Sequence, residues 1–322
     1  MSAKGETPLC WAVTDGRAGI EAQALGLAEA IARRTPLRIE AKRLLVRAPC
    51  RALPGEFWGD PFALLDEQSD RLTPPWPDLW IGCGRLSVPF SRAVKRDSRE
   101  TFVVQLQNPR VSTGAFDLVI PPEHDGLSGP NVFPILGSPN RLDIGKLRGP
   151  VVPGLAPLAV LIGGPNKVFR FDETDAASLA DKLLALSMPL DVTLSRRTPR
   201  RAGDLLREKL GDHAARFFDP ARGEGDNPYP MMLATARAIL VTEDSVNMAA
   251  EAASTGRPVY VLPLQRKPFR RARKFDAFHE GLQARGAARR FEGAIDGWTY
   301  APLDETGRAA DEVLRRWRGG GR

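Results

Sequence analysis

Long apolar runs are the first thing missing: nowhere in the 322 residues do the roughly 18 uninterrupted apolar positions of a membrane-spanning helix occur. The opening Met1-Ser2-Ala3-Lys4-Gly5-Glu6 leads into a short apolar run and then charge, which is not a secretory signal, so a cytoplasmic protein is expected. Cysteine and histidine are equally scarce. The three cysteines, Cys10, Cys50 and Cys83, have no metal-like spacing, and two of them stand in apolar strand-like runs, which predicts buried reduced thiols. The three histidines, His124, His213 and His279, are too scattered for a zinc site, so neither a metal nor another cofactor is expected. No DNA- or RNA-binding module is recognisable, which removes nucleic acid from the expected partners.

What the chain does have is a globular composition, 43% hydrophobic and 26% charged, which excludes wholesale disorder. Its length suggests about two domains. Short apolar runs alternate with helical patterns, the signature of βαβ units and parallel sheets. In the first half, strands are predicted at Leu9–Val13, Leu37–Ala41, Leu79–Gly82, Thr101–Leu106, Asp117–Ile120 and Val132–Ile135. A helix after the first strand carries Ala24, Leu25, Leu27, Ala28 and Ile31 on one face. The stretch from Ala48 to Pro77, rich in Pro, Trp and Gly, is expected to be partly irregular and to pack over the sheet.

Glycine and proline punctuate residues 137–157, which places a domain boundary near residue 150. The alternation then restarts, with strands at Leu158–Ile162, Leu190–Leu194, Ala215–Phe218, Ala238–Val241 and Pro258–Leu262. Helices are predicted at Thr174–Leu186, Gly203–Leu210, Val246–Ser254 and from about Glu305 to Trp317, the last followed by a frayed tail. The expected fold is α/β: two doubly wound Rossmann-like domains, 1–150 and 151–300, facing a cleft, with a C-terminal helix and tail at 301–322.

In open parallel sheets ligands bind beyond the carboxyl ends of the strands. Polar, turn-forming groups stand there in the second half: Gly163-Gly164-Pro165-Asn166-Lys167, Ser195-Arg196-Arg197-Thr198-Pro199, Gly225-Asp226-Asn227-Pro228-Tyr229 and Thr242-Glu243-Asp244-Ser245. Asp244 or Ser245 is a good N-cap for the next helix, whose free N–H groups and dipole form an anion site. Glu251, six residues after Ser245, suits a ribose diol lying along that helix; the alternative is a plain cap and a solvated carboxylate. Arg196 and Arg197 suit a diphosphate, or are a solvated pair. Ser195 and Thr198 suit a cap, with Pro199 at the first helical position. The double glycine permits close backbone approach to a ligand.

In the first half, Asp15-Gly16-Arg17-Ala18-Gly19 matches neither a phosphate-binding P-loop nor a dinucleotide fingerprint. Asp15 is nevertheless placed to act on a ligand in an interdomain cleft, and Gly82-Cys83-Gly84-Arg85 can host backbone contacts. Gln107-Asn108-Pro109-Arg110 and Pro121-Pro122-Glu123-His124-Asp125 also end strands, and His124 beside Asp125 offers a proton acceptor or a structural hydrogen bond near a turn.

These residues carry a resemblance. Trp11 through Gly19 with Gln23 and Leu27 resembles the opening of the mitochondrial-fission (elongated mitochondria) family of bacteria and plants. The similarity runs on through residues 107–110, 121–125, 163–166, 195–199 and 242–248 with Asn247, then Glu251-Ala252 and Gly256-Arg257-Pro258-Val259, over nearly the whole chain. It implies a GT-B-like fold whose second half is similar to a nucleotide-sugar-binding domain. There a helix-opening Ser or Thr meets the diphosphate and a later Glu meets the ribose, here Ser245 and Glu251. Glu243 and Glu251 also have the E-x7-E spacing that resembles retaining GT-B enzymes. The plant members are implicated as adaptors bringing a dynamin-related GTPase to mitochondria.

The resulting expectation is a metal-independent glycosyltransferase that binds a nucleotide-diphosphate sugar through residues 163–167, 195–198, 243–245, 247 and 251. Its acceptor side would be formed by Gly16, Arg17, Gly19, Gln23, Arg85, Asn108 and Arg110, with Asp15 or the His124–Asp125 pair as base. The alternatives are a non-catalytic adaptor with a protein partner, and a nucleoside-diphosphate-sugar epimerase.

Charge adds one more feature. Lys plus Arg number 46 against 39 acids, a net +7, and the segment from Arg266 to Arg290 alone supplies that +7. Its core, Arg266, Lys267, Arg270, Arg271, Arg273 and Lys274 interleaved with Phe269 and Phe275, is either a solvated basic helix or a surface for anionic lipid headgroups or a phosphate-bearing acceptor.

Overall fold

The computed structural model describes residues 6–48, 50, 58–143, 156–223 and 225–319. The chain divides into two compact units, one formed by Met1–Arg141 with Glu305–Arg322, the other by Leu142–Asp304. The boundary expected near residue 150 lies outside the described residues, as do the Gly-rich end of the tail and most of the 137–157 linker.

The first unit runs β1 (Leu9–Thr14), α1 (Ala18–Ala32), β2 (Arg38–Arg43), β3 (Leu79–Cys83), α2 (Val88–Asp97), β4 (Phe102–Leu106) and β5 (Leu118–Ile120). All strands are parallel, in the order β2-β1-β3-β4-β5. Because side chains alternate along a strand, β1 sends Cys10 and Ala12 to one face and Trp11 and Val13 to the other. The first face packs on Leu27 and Ile31 of α1, and the second on Trp58, Phe90 and Val94. A sheet covered on both faces explains why its central strands are apolar at nearly every position.

Two expectations change here. Val132–Ile135 is not a strand: only isolated bridges pair Val132 with Val119 and Ile135 with Pro122. Pro134 lacks the N–H that a continuous ladder would need. The C-terminal helix α8 (Glu305–Gly319; the intervening helices are given below) is not a separate appendage, since it packs on α1 within this first unit. Its buried Ala309, Ala310 and Val313 join the α1 core, and the Glu305 carboxylate accepts the Leu136 N–H at 2.9 Å.

The second unit runs β6 (Leu158–Ile162), α3 (Glu173–Leu184), β7 (Leu190–Leu194), α4 (Arg200–Leu210), β8 (Ala214–Phe218), α5 (Tyr229–Thr235), β9 (Ala238–Thr242), α6 (Val246–Ala253), β10 (Val259–Leu262), α7 (Arg273–Ala284) and β11 (Ala288–Arg290). The order is β11-β10-β9-β6-β7-β8, again all parallel. Strands β6, β7, β9 and β10 are buried at every position. Helix α4 begins at Arg200 rather than Gly203, and Pro199 is its extended N-cap, not its first helical residue; no side chain caps it. Ser195 and Thr198 are occupied with their own turn instead.

Candidate functional site

In each sheet one pair of adjacent strands sends its following connections in opposite directions, and this switch point opens a crevice at the carboxyl edge. In the second unit the pair is β6 and β9, so the crevice is flanked by Gly163–Lys167 on one side and Glu243–Ser245 on the other. Strand β7 adjoins β6, which brings Ser195–Thr198 beside them.

These three loops are tied to one another. The Gly163 N–H donates to the Thr242 hydroxyl at 2.8 Å and the Gly164 N–H to the Asp244 carboxylate at 3.0 Å. Thr198 donates its hydroxyl to the Gly163 carbonyl at 2.5 Å. The Arg197 guanidinium spans all three, donating to the Gly164 carbonyl at 3.1 Å and to Asp244 at 2.7 Å. Asp244 also accepts the Thr242 hydroxyl at 2.7 Å, and its side chain is fully buried. The glycines are required by closeness: a Cβ on Gly163 would lie 2.3 Å from the Asp244 carboxylate, and one on Gly164 2.2 Å from the Arg197 carbonyl oxygen.

Ser245 is the N-cap of α6, its hydroxyl accepting the Met248 N–H at 3.4 Å. Beyond it the first turn of α6, with Asn247, presents the positive end of the helix. Glu251 sits further along α6, partly buried, and accepts a hydrogen bond from the Tyr229 hydroxyl at the start of α5. Burial pushes this carboxyl up to about 7, against the opposing pull of the Tyr229 hydrogen bond.

Several residues expected to meet a ligand are used internally. Arg197 and Asp244 serve each other, which leaves Arg196, exposed at the same strand end, as the guanidinium open to an anion. Glu243 accepts the Leu264 N–H at 3.2 Å and pairs with Arg266 at 2.9 Å, while its carbonyl contacts the buried His279 ring at 2.9 Å. The members of the E-x7-E pair therefore engage different elements, Glu243 the segment after β10 and Glu251 helix α5. Asn166 closes its own turn, accepting the Val168 and Phe169 N–H groups, and its carbonyl accepts from Lys267 at 2.8 Å, while Lys167 is exposed. Ser195 accepts the Arg197 N–H at 3.1 Å. Tyr229, the partner of Glu251, belongs to the polar group at 225–229 already singled out in the sequence, but the Pro on either side of it marks a helix start and not this contact.

The first unit has its own switch point between β1 and β3, flanked by Asp15–Arg17 and Gly84–Arg85. Asp15 is held by Arg17, whose side chain donates at 2.8 and 2.9 Å and whose N–H donates at 3.2 Å. Gly16 turns the chain with φ of 73°, and Gly19 lies in the first turn of α1. Gln23 is buried and accepts from the Gln107 amide at 3.0 Å. Gln107 and Arg110 at the end of β4 both adopt the left-handed region, φ 68° and 57°, with the Arg110 N–H donating to Asn108. His124 and Asp125 lie in a single 3-10 turn after β5, the edge strand, with β3 and β4 between it and β1. Asp15 and His124 are thus ends of well-separated strands, not a pair.

The model of the family described as mitochondrial fission ELM1 matches residues 18–317. The chain belongs to that family. It is 31% identical over 279 residues to the mitochondrial fission protein ELM1 of Arabidopsis thaliana, an alignment covering 74% of this chain and 64% of that protein. The chain thus spans somewhat under two thirds of the plant relative's length. It is 28% identical to the uncharacterized protein RP120 of Rickettsia prowazekii, covering 94% and 97% of the two chains. Among solved structures it is similar to a putative UDP-N-acetylglucosamine 2-epimerase from Listeria monocytogenes (TM-score 0.52, 11% identity, 98% and 96% covered). It is also similar to Phytolacca americana UGT2 complexed with UDP-2-fluoro-glucose and pterostilbene (TM-score 0.50, 11% identity, 98% and 94% covered). The two doubly wound units have the GT-B plan that such glycosyltransferases and epimerases share.

Among the described residues, no helix is long and apolar enough to cross a membrane, and no group of three or more His, Cys, Asp or Glu is arranged to hold a metal ion.

Proposed function

We propose that the second unit binds a nucleotide-diphosphate sugar at the β6/β9 switch point, and that the protein is a metal-independent glycosyltransferase working at an anionic membrane face. The observation that carries the reading is the juxtaposition on α6 of a Ser-capped N-terminus and, further along the same helix, a partly buried carboxyl poised near neutrality. The diphosphate would lie against the first turn of α6 and Arg196, where fixed dipoles and a guanidinium offset the charge that develops on the leaving group. The tied loops keep those donors in place before the ligand arrives, so little reorganisation is needed at the moment of reaction. Glu251 would exchange its Tyr229 partner for the ribose diol. On the acceptor side, Asp15 becomes a base only when a hydroxyl displaces Arg17, and His124 with Asp125 is the other candidate.

A second reading, a non-catalytic adaptor with a protein partner, draws on a separate observation: Arg197 and Glu243 are both committed to internal ion pairs. Product NMR after incubation with a panel of nucleotide sugars separates the readings. Nucleoside diphosphate released together with a new glycoside supports transfer. A stereoisomer of the donor formed without acceptor supports an epimerase instead, and bound but unchanged donor supports the adaptor.

A further inference from the structure

The basic segment after β10 is not a uniform patch. Its first two cations turn inward: Arg266 pairs with Glu243 and, at 2.5 Å, with Asp276, and Lys267 donates to the Asn166 carbonyl. The backbone here is pinned to the loop after β6, Lys267 N–H to Val168 O at 2.7 Å and Arg170 N–H to Gln265 O at 2.9 Å. On its far side Ala272 is buried and Phe275 packs edge-on against Phe169, ring centres 5.0 Å apart. Between these anchors the chain projects outward as a short turn, closed by the Arg270 N–H on the Lys267 carbonyl at 3.3 Å. At its tip stands Phe269, fully exposed and held at φ 59°, a conformation that bulky side chains rarely adopt. Arg270, Arg271 and Arg273 beside it are all exposed.

We infer that this turn is an anchor for an anionic bilayer, with Phe269 as the group that enters the interface and Arg270, Arg271 and Arg273 as headgroup ligands. An aromatic ring ringed by guanidiniums matches a membrane surface, where the ring reaches the acyl boundary and the cations meet lipid phosphates. Single-stranded nucleic acid fits less well, because a track of stacking platforms is needed there. Among the described residues the only large apolar side chains left exposed are Phe269 and, far along the sequence on α5, Met231. A rigid base keeps the ring from folding back onto the protein, so the exposure is built in. The anchor is independent of the nucleotide reading: a chain that binds no nucleotide would still bind the bilayer.

Flotation with phosphatidylcholine vesicles, with and without phosphatidylglycerol, tests this on the full chain. Wild type is expected to float only with the anionic vesicles and to be released by salt. Phe269→Ser, which leaves every charge in place, should weaken binding at least about tenfold, and Phe269→Leu should restore most of it. Replacing Arg270 and Arg271 together by Ala should weaken it roughly 25-fold, about fivefold for each cation. Equal flotation of wild type and Phe269→Ser overturns the proposal. So does failure of wild type to float at low salt, or tighter binding of a single-stranded oligonucleotide than of anionic vesicles.

Discussion

Replacing Glu251 by Gln probes the candidate site and its electrostatics together. The carboxyl is raised from 4.5 to about 7 by burial, and the Tyr229 hydroxyl is the group that opposes the rise. An acid raised in the fold leaves stability at its fullest below the unfolded value and loses it as pH climbs through the folded one. Stability should therefore fall between about pH 4.5 and pH 7 and change no further above that from this group. The full gap corresponds to at most about 3 kcal/mol; with Glu251 only partly buried, about 1–2 kcal/mol is expected. Gln keeps an oxygen that can accept from Tyr229 but cannot ionise. Urea denaturation of both proteins at about pH 4 and about pH 8 isolates the effect, since other titrating groups cancel in the comparison. Glu251→Gln should be the more stable protein at the higher pH, and the two should converge at the lower. Tyr229→Phe, which removes the opposing hydrogen bond, should move the transition to higher pH. An unchanged difference between wild type and Glu251→Gln across this range would refute the argument.

Asp244→Ala strips the acceptor from the Gly164 N–H, the Thr242 hydroxyl and Arg197, and should cost about 2–4 kcal/mol in the second unit by chemical denaturation; a loss under about 0.5 kcal/mol contradicts the tied-loop picture. Gly164→Ala puts a methyl 2.2 Å from the Arg197 carbonyl oxygen, so the loop must move, with an expected loss of about 1–3 kcal/mol. Val313→Asp buries a carboxylate against α1 and should destabilise the first unit by at least about 3 kcal/mol, read by hydrogen exchange of α1 amides.

The sequence made the second sheet legible because β6 is an unbroken apolar run and β7 alternates Leu190, Val192 and Leu194 with polar residues, both bounded by Pro or Gly and by polar turns, and both bounds agree with the structure. Helix α2 was not legible, since Pro89 and three basic residues interrupt any simple apolar stripe and its burial depends on Trp58 and Phe62 from a distant segment. The polar strand ends were found, because only loops tolerate such residues at those positions. Which of them face a ligand was hidden. Arg197 meets Asp244 across 47 positions and Tyr229 meets Glu251 across 22, and neither separation has a periodicity that a helix or strand would betray. Strand order was equally invisible, and the β6/β9 switch point follows from it.

Isothermal titration of the full chain with UDP-, GDP-, ADP- and CMP-sugars tests the donor site most directly. At least one should bind tighter than about millimolar. Its affinity should drop for Arg196→Ala and Glu251→Gln while Phe269→Ser leaves it unchanged. If none binds below about millimolar, or if Arg196→Ala and Glu251→Gln bind as wild type does, the β6/β9 crevice is not a nucleotide-sugar site.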